Sequence, residues 1–582
     1  MANVEWRMKA KSAIVTHSKF DLRHSRFAIP MDPLQTAFDY HERTKHHFHR
    51  YAASLGYLDW ANQPDPFRRY QGAALHCLTL VGESPTPSYD ELFVPGAIPP
   101  RPIHLASISA LFEFSLALSA WKEYQGSRWA LRINPSSGNL HPTEGYLVAR
   151  PIEGLHDSPA VYHYAPKEHG LERRCVRHCS LSSGSVINSG FLVGLTSVHW
   201  REAWKYGERA YRYCQHDIGH ALAAVSIAAA LLGWRARIVD IDDAPIVKLL
   251  GLDRDADFTE AEREQPDLLL HIAPDLPPCQ GGIQRGSNEF WAQALCGAPV
   301  LDTDKAPSPG VWSGRANALS RDHVDWPIVD DVAVACIRKN SPPLDESPAA
   351  FSSPIQPARA TTSATQIIRQ RRSAIAFDGR TAITAGQFFL MLDRTLPRSD
   401  RPPWSALPPP ISVHLAVFLH LVEGLPRGLY LFVRDPGKLA ELRAACDPTF
   451  AWSKPEPCPD GLPLYLLRTG DARRVAVQVS CGQEIAGAGA FSLGMIAEFE
   501  GTLRTRGAWF YRRLFWETGA IGQVLYLEAE AAGVRGTGIG CFFDDPVHDL
   551  LGLKDRRFQS LYHFTVGGPI EDVRLMTRPA YG

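Results

Sequence analysis

Four short segments of this 582-residue chain combine residue types that can do chemistry. Lys205 and Tyr206 sit side by side in the run 204–213, and an amine next to a phenol can pass a proton once burial shifts their pKa values. Residues 132–144 read Arg-Ile-Asn-Pro-Ser-Ser-Gly-Asn-Leu-His-Pro-Thr-Glu. There Pro135, Ser136, Ser137 and Asn139 shape a turn whose hydroxyls, amide and backbone suit a polar planar ligand. Arg371, Arg372 and Ser373 join two guanidiniums to a hydroxyl, a set that suits a phosphate monoester. In Gly536-Thr537-Gly538-Ile539-Gly540-Cys541 the spaced glycines let a ligand approach backbone N–H groups. Each segment also has a plainer reading: a helix surface, a Ser/Gly/Asn loop, a solvated basic helix end and a flexible turn. The glycine segment is no Rossmann fingerprint, because it follows a helix and opens none.

The elements that must position these residues are suggested by a repeat. Tyr211-Arg212, Gly219 and Gly233-Trp234 recur 300 residues later as Tyr511-Arg512, Gly519 and Gly533-Val534, and Glu517 stands where Asp217 does. Asp242-Asp243 and Leu249-Leu250-Gly251-Leu252 reappear as Asp544-Asp545 and Leu550-Leu551-Gly552-Leu553. The chain therefore reads as two copies of one domain. An N-terminal extension (1–105) precedes the first domain (106–290), a Pro/Ser-rich linker (291–364) follows it, and the second domain spans 365–582. The patterning predicts a helix over 107–123, a strand over 144–149 and a long helix over 203–232, apolar on nearly every face and so central to a core. The second copy matches it with a helix over 510–532 and ends in a strand over 561–566. Helices mixed with strands across long connections predict an α+β layered fold.

Composition excludes several classes. With 61 basic and 62 acidic residues, no bulk charge favours nucleic acid or an anionic membrane. The longest apolar run, 221–234, is too short to span a bilayer, and the first residues show no signal-peptide h-region. The 11 scattered cysteines contain no CxxC pair, which predicts reduced thiols and a cytoplasmic protein. Cys175 and Cys179 bracket His178 without the further ligands of a zinc site, so no metal is expected. The histidines at 41, 46, 47 and 49 read as a solvated helix face, with an entrance lining as the alternative.

Taken together, the segments resemble the FMN-dependent nitroreductase superfamily, in its SagB/ThcOx-type dehydrogenase branch. Residues 134–144 are similar to the family's Pro-Ser-x-Gly-x-Leu-x-Pro-x-Glu turn, and Arg371-Arg372-Ser373 with Phe377 to its phosphate motif. Lys205-Tyr206-Gly207 with Tyr211-Arg212 and Gly219-His220 resembles the branch's helix entry. Residues 40–46 and 59–70 resemble N-terminal signatures of its tandem members.

The resemblance implies two three-layer α/β/α domains with mainly antiparallel sheets, fused as a pseudo-dimer. It implies FMN held by Arg371, Arg372, Ser373 and the Gly538-Ile539-Gly540 turn of one copy and by Pro135, Ser136, Ser137 and Asn139 of the other. The reverse site has Arg237-Ile238-Val239-Asp240 and a proline-rich 402–410 stretch where those motifs should stand, so a single FMN is expected. Ile375 replaces a cation of the phosphate motif, and Arg574 or Arg578 is expected to substitute.

The implied activity is hydride exchange between flavin and a small-molecule or modified-peptide substrate, with Lys205 and Tyr206 handling the proton. Two alternatives stand beside it. One is a reductase that takes electrons transiently from NAD(P)H and passes them to a quinone, nitro compound or enone. The other is a scaffold that has lost flavin. A monomer or a homodimer fits either.

Overall fold

The computed structural model describes residues 32–82, 86–176, 190–274, 310–341, 355 and 362–581. Of the Cys-His-Cys cluster considered above, His178 and Cys179 lie outside the described residues.

Two antiparallel sheets carry the molecule. The first contains β1 (Ala74–Cys77), β2 (Thr143–Ala149), β3 (Ala160–Ala165), β4 (Gly170–Val176), β5 (Phe191–Ser197), β6 (Arg235–Ile238), β7 (Gln265–Ala273) and β8 (Val311–Trp312). Across it the order is β8-β4-β3-β2-β5-β7-β6, with β1 also on β4. The second contains β9 (Val413–Leu419), β10 (Gly428–Phe432), β11 (Leu464–Thr469), β12 (Phe491–Glu498), β13 (Arg535–Ile539) and β14 (Phe558–Gly567), in the order β11-β10-β9-β12-β14-β13. From β4 to β6 and from β11 to β13 the strand order is the same, so the sequence repeat is a repeat of topology.

Helices lie on both faces of the sheets, in separate apolar clusters. Those that bear on the site are, in chain order, α1 (Pro33–Arg43), α2 (Leu105–Glu113), α3 (His199–Tyr206), α4 (Ala210–Leu231), α5 (Asp243–Leu250), α6 (Ala364–Gln370), α7 (Phe510–Ala531) and α8 (Asp544–Leu551). The long helices α4 and α7 are buried along almost their whole length and pack on each other. One continuous apolar core runs through both halves, from Ala37 to Val566. The α+β class is as expected.

Several expectations need correction. The helix predicted over 107–123 stops at Glu113, and Leu118–Tyr124 is instead a strand paired with Ser127–Arg132. The tight turn at Gln125-Gly126, both at positive φ, closes that hairpin. The predicted helix 203–232 is two helices, broken at Gly207. There φ is +53°, and a side chain would run into the backbone of Ala53 and Ser54. Within the expected linker, residues 310–341 are built into the first half. Val311–Trp312 extends its sheet, and a helix over Pro327–Ala335 packs on α1. Matching α5 with α8 aligns Asp243 with Asp544, an offset of 301, so the second acid of the first pair corresponds to the first acid of the second pair.

The two ends of the chain cross over. Tyr40 Oη donates to Glu208 O at 2.7 Å, and His46 N donates to Asp544 Oδ2 at 2.9 Å. At the other end Met576–Arg578 pairs with Leu118–Tyr124, and Tyr581 Oη donates to Pro166 O at 2.6 Å. His41 is buried between Tyr511 and Gln559, so that histidine at least is no solvated face.

Candidate functional site

The break at Gly207 leaves Lys205 and Tyr206 at the C-terminal end of α3, aimed at the 135–139 turn. Gly138 has φ +59°, and a Cβ there would lie 2.6 Å from Tyr206 Oη and 3.1 Å from Lys205 Nζ. The turn is fixed before any ligand arrives. Ser137 donates to Asp217 Oδ1 through both N (3.0 Å) and Oγ (3.1 Å). Asn139 Nδ2 donates to Ala130 O at 2.9 Å, and its Oδ1 hydrogen-bonds His141 Nε2 at 3.0 Å. His141 N donates to Ser136 Oγ at 2.8 Å, and Pro135 is buried beneath.

From the second half, Arg371 reaches the foot of the same turn. Its Nε donates to Ile133 O at 3.1 Å and its Nη2 to Arg132 O at 2.9 Å, while the guanidinium stacks 5.1 Å above Tyr526. Arg372 Nη2 donates to Ser119 O at 3.0 Å. Ser373 Oγ hydrogen-bonds Tyr526 Oη at 2.8 Å, and Gly538 N donates to that same hydroxyl at 2.9 Å. Side chains at Gly538 and Gly540 would collide with the Tyr562 hydroxyl and the Tyr213 ring. Tyr213 in turn packs against Tyr206, ring centroids 4.2 Å apart and tilted by 37°. The four segments singled out in the sequence therefore meet at one place between the halves.

Exposure varies across the cluster. Gly138 and Ser373 are exposed, and Ser136, Ser137, Asn139, Lys205, Tyr206, Arg372, Gly538 and Gly540 are partly exposed, whereas Arg371 and Ile539 are buried. Lys205 and Tyr206 are partly exposed, and burial is the largest cause of both their pKa shifts.

Burial lowers Lys205, opposed by the Glu202 carboxylate. It raises Tyr206 well above the usual phenol range. Two acids that the sequence reading passed over complete the cluster. Glu202 is fully buried, with no hydrogen bond to either carboxylate oxygen among the described residues; burial, reinforced by Asp217 and opposed by Lys205, pushes it well above the carboxylate range. Burial pushes Asp217 up to about 7, against its hydrogen bonds from Ser137. Asp217 is visible in the sequence only as the partner of Glu517 in the repeat, and Glu202 carries no motif.

Three expectations are corrected. The glycine segment is not a loop: Gly536 to Ile539 belong to edge strand β13, paired with β14. Within it the Gly538 N–H is already taken by Tyr526. Arg574 and Arg578 do not join Arg372. Both are exposed, paired with Asp572 and Glu123 respectively. The cations that do act near Arg372 are Arg535 and, across the hairpin strand, Lys122.

The pseudo-symmetric position is built from different residues. Ile238 N donates to Ala406 O at 3.0 Å, so the proline-rich segment lies directly on β6. Glu517, the counterpart of Asp217, is bound by the Arg434 guanidinium and accepts from Ser412 N at 3.0 Å. Arg512, Trp509 and Trp516 line what small cavity is left there.

No family model matches the sequence. Among solved structures, a protein of Anabaena variabilis provisionally named a nitroreductase aligns with a TM-score of 0.63 and 21% identity, covering 92% of this chain and 99% of that one. Among curated proteins, the trifolitoxin-processing protein TfxB of Rhizobium leguminosarum bv. trifolii is 27% identical over 168 residues, 26% of this chain and 44% of its own. A Methanocaldococcus jannaschii protein provisionally named a nitroreductase is 27% identical over 106 residues, 17% of this chain and 52% of its own. The chain thus spans about half the length of the curated relatives it matches. No helix among the described residues is long and apolar enough to cross a membrane. The chain therefore shares the fold of that Anabaena variabilis protein, and its strand order is built twice along one polypeptide.

Proposed function

We propose that the protein is an FMN-dependent oxidoreductase of the SagB/ThcOx dehydrogenase type, with one flavin in the recess between its halves. The observation that carries this reading is the Arg371 clamp. It brings the phosphate-type Arg-Arg-Ser segment of one half to the foot of the Pro-Ser-Ser turn of the other.

The residues fit a phosphorylated flavin. Arg372, exposed Ser373 and Lys122 offer cations and a hydroxyl for a monoester dianion. Gly138, Gly538 and Gly540 leave flat walls backed by Tyr206, Tyr562 and Tyr213. Bound there, FMN would supply hydride transfer. The chain's own groups handle the rest. Lys205, lowered by burial, accepts the proton that substrate loses as hydride departs. Protonated Glu202 beside it keeps the local charge low, and the Tyr206 phenol orients the substrate.

The name of TfxB, a trifolitoxin-processing protein, supports a processing step, and we read it as azoline-to-azole oxidation of a modified peptide. The test is the absorbance spectrum of purified protein with FMN quantified per chain. About one FMN per chain is expected for a single closed pair of motifs. Two, or none after saturation with FMN, defeats the reading. Steady NADPH oxidation with a nitroaromatic acceptor, without turnover of azoline peptides, shifts the assignment to an NAD(P)H-driven reductase.

A further inference from the structure

Beside the recess three ligating side chains meet that sequence order keeps far apart. His46 comes from the segment after α1. Cys481 follows the helix Arg473–Val479, and Cys541 follows Gly540. One ligand atom from each lies within 4.8 Å of the others. Cys541 Sγ stands 3.6 Å from His46 Nδ1. With Zn–S near 2.3 Å and Zn–N near 2.0–2.1 Å, a tetrahedral site has an N···S edge of about 3.6 Å. The observed spacing is therefore that of two ligands on one ion, and it is also within reach of a thiol–imidazole hydrogen bond.

The surrounding contacts hold all three in place. Asp544 Oδ2 accepts from His46 N at 2.9 Å. Gln483 Nε2 donates both to Cys541 O at 2.8 Å and to Ser480 O at 3.0 Å, so one amide ties the two cysteine segments together. Phe543 N donates to Val479 O at 2.8 Å. Cys481 itself adopts φ +54°, a left-handed conformation that a buried cysteine takes only when its surroundings enforce it.

We propose that His46, Cys481 and Cys541 bind one thiophilic divalent metal ion of the zinc class, with a fourth position left to water or a small ligand. Two thiolates and an imidazole select zinc-like metals over calcium or magnesium, which prefer oxygen. His46 and Cys481 are buried, but Cys541 is partly exposed, so the open position faces the side toward Gly540. Binding releases the two thiol protons. It also pins the 44–51 segment to the second half at the edge of the recess. This inference does not depend on the flavin assignment.

The test begins with elemental analysis of protein purified without chelator, with flavin quantified in the same sample. We expect about one zinc per chain, as for a three-ligand site. After chelation and cobalt loading, the d–d bands of a tetrahedral cobalt thiolate should appear in the red, beyond flavin absorption. Cys481→Ser should abolish those bands and weaken metal binding at least tenfold, roughly the scale of ligand-shell losses. Should that variant fail to fold, His46→Gln read by the same bands serves instead, as does metal protection of both thiols against alkylation in the unaltered protein. Substoichiometric metal even after zinc addition overturns the proposal. So does a Cys481–Cys541 disulfide in a non-reduced peptide map of fresh protein. Metal without flavin leaves this site standing and removes the flavin reading, and flavin without metal does the reverse.

Discussion

Gly219 of α4 and Gly519 of α7 face each other where the two long helices cross. A Cβ on Gly219 would lie 2.9 Å from Gly519 Cα, and one on Gly519 would lie 2.8 Å from Gly219 Cα. The pseudo-two-fold axis of the molecule passes between them, and the reciprocal ion pairs Arg212–Asp544 (2.8 Å) and Arg512–Asp243 (2.6 Å) flank it. Both obstacles are backbone, so neither helix can yield locally. Gly219→Ala or Gly519→Ala should cost about 1–3 kcal/mol, the usual range for overpacking. A shift of the denaturation midpoint checks this, and an unchanged midpoint would show that the helices part easily.

Asp217 and Glu517 occupy equivalent places but should behave oppositely. Glu517 is buried against Arg434. Removing one partner of such a pair costs roughly 3–5 kcal/mol, so Glu517→Gln should lower the denaturation midpoint, and an unchanged midpoint would show that the pair adds nothing.

Asp217 takes its hydrogen bonds from Ser137 rather than from a cation, and its folded pKa is raised to about 7. The unfolded chain therefore loses this proton first. Stability is greatest below the unfolded carboxylate pKa and falls as pH climbs toward about 7, by about 1.4 kcal/mol for each pH unit crossed between the two pKa values. Asp217→Asn removes the penalty. Thermal melts should show the variant gaining on the wild type above neutral pH and matching it in acid; a gain in acid alone would contradict the assignment.

Lys205→Ala should retain flavin and lose about 10²–10⁴-fold in turnover, the usual contribution of a positioned acid–base group. Single-turnover flavin reduction by an azoline peptide is the measurement. Wild-type rates would remove Lys205 from the proton path.

Arg372→Ala should weaken FMN binding by about 1.5–3 kcal/mol, as for a lost hydrogen bond to a charged group. Arg574→Ala should leave FMN affinity unchanged, because that guanidinium is held by Asp572 on the surface. Fluorescence titration of apoprotein with FMN separates the two, and the reverse order would restore Arg574 to the phosphate.

The duplication and the α+β class are readable in the sequence, because repeats and turn motifs are local signals. Local signals also fail in identifiable ways. Residues 118–124 read as helix because the preceding apolar run hides the Gln125-Gly126 turn. The strand character of Gly536 to Ile539 is masked by glycines, which have low strand propensity and are tolerated here by close packing of Tyr562 and Phe564. Glu202 reads like any helix acid until its burial is known. His46, Cys481 and Cys541 share no spacing that a linear search could find.

The crossed ends of the chain have a consequence for synthesis. The first half binds the Tyr581 hydroxyl through Pro166 and pairs its 118–124 strand with residues 576–578, while residues 40–46 rest on residues of the second half. At about 5–20 residues per second, these surfaces wait unmatched on the order of tens of seconds after the first sheet has left the ribosome. The nascent first half must therefore survive that interval with α4 bare, which makes it the stage at which a chaperone would be needed most.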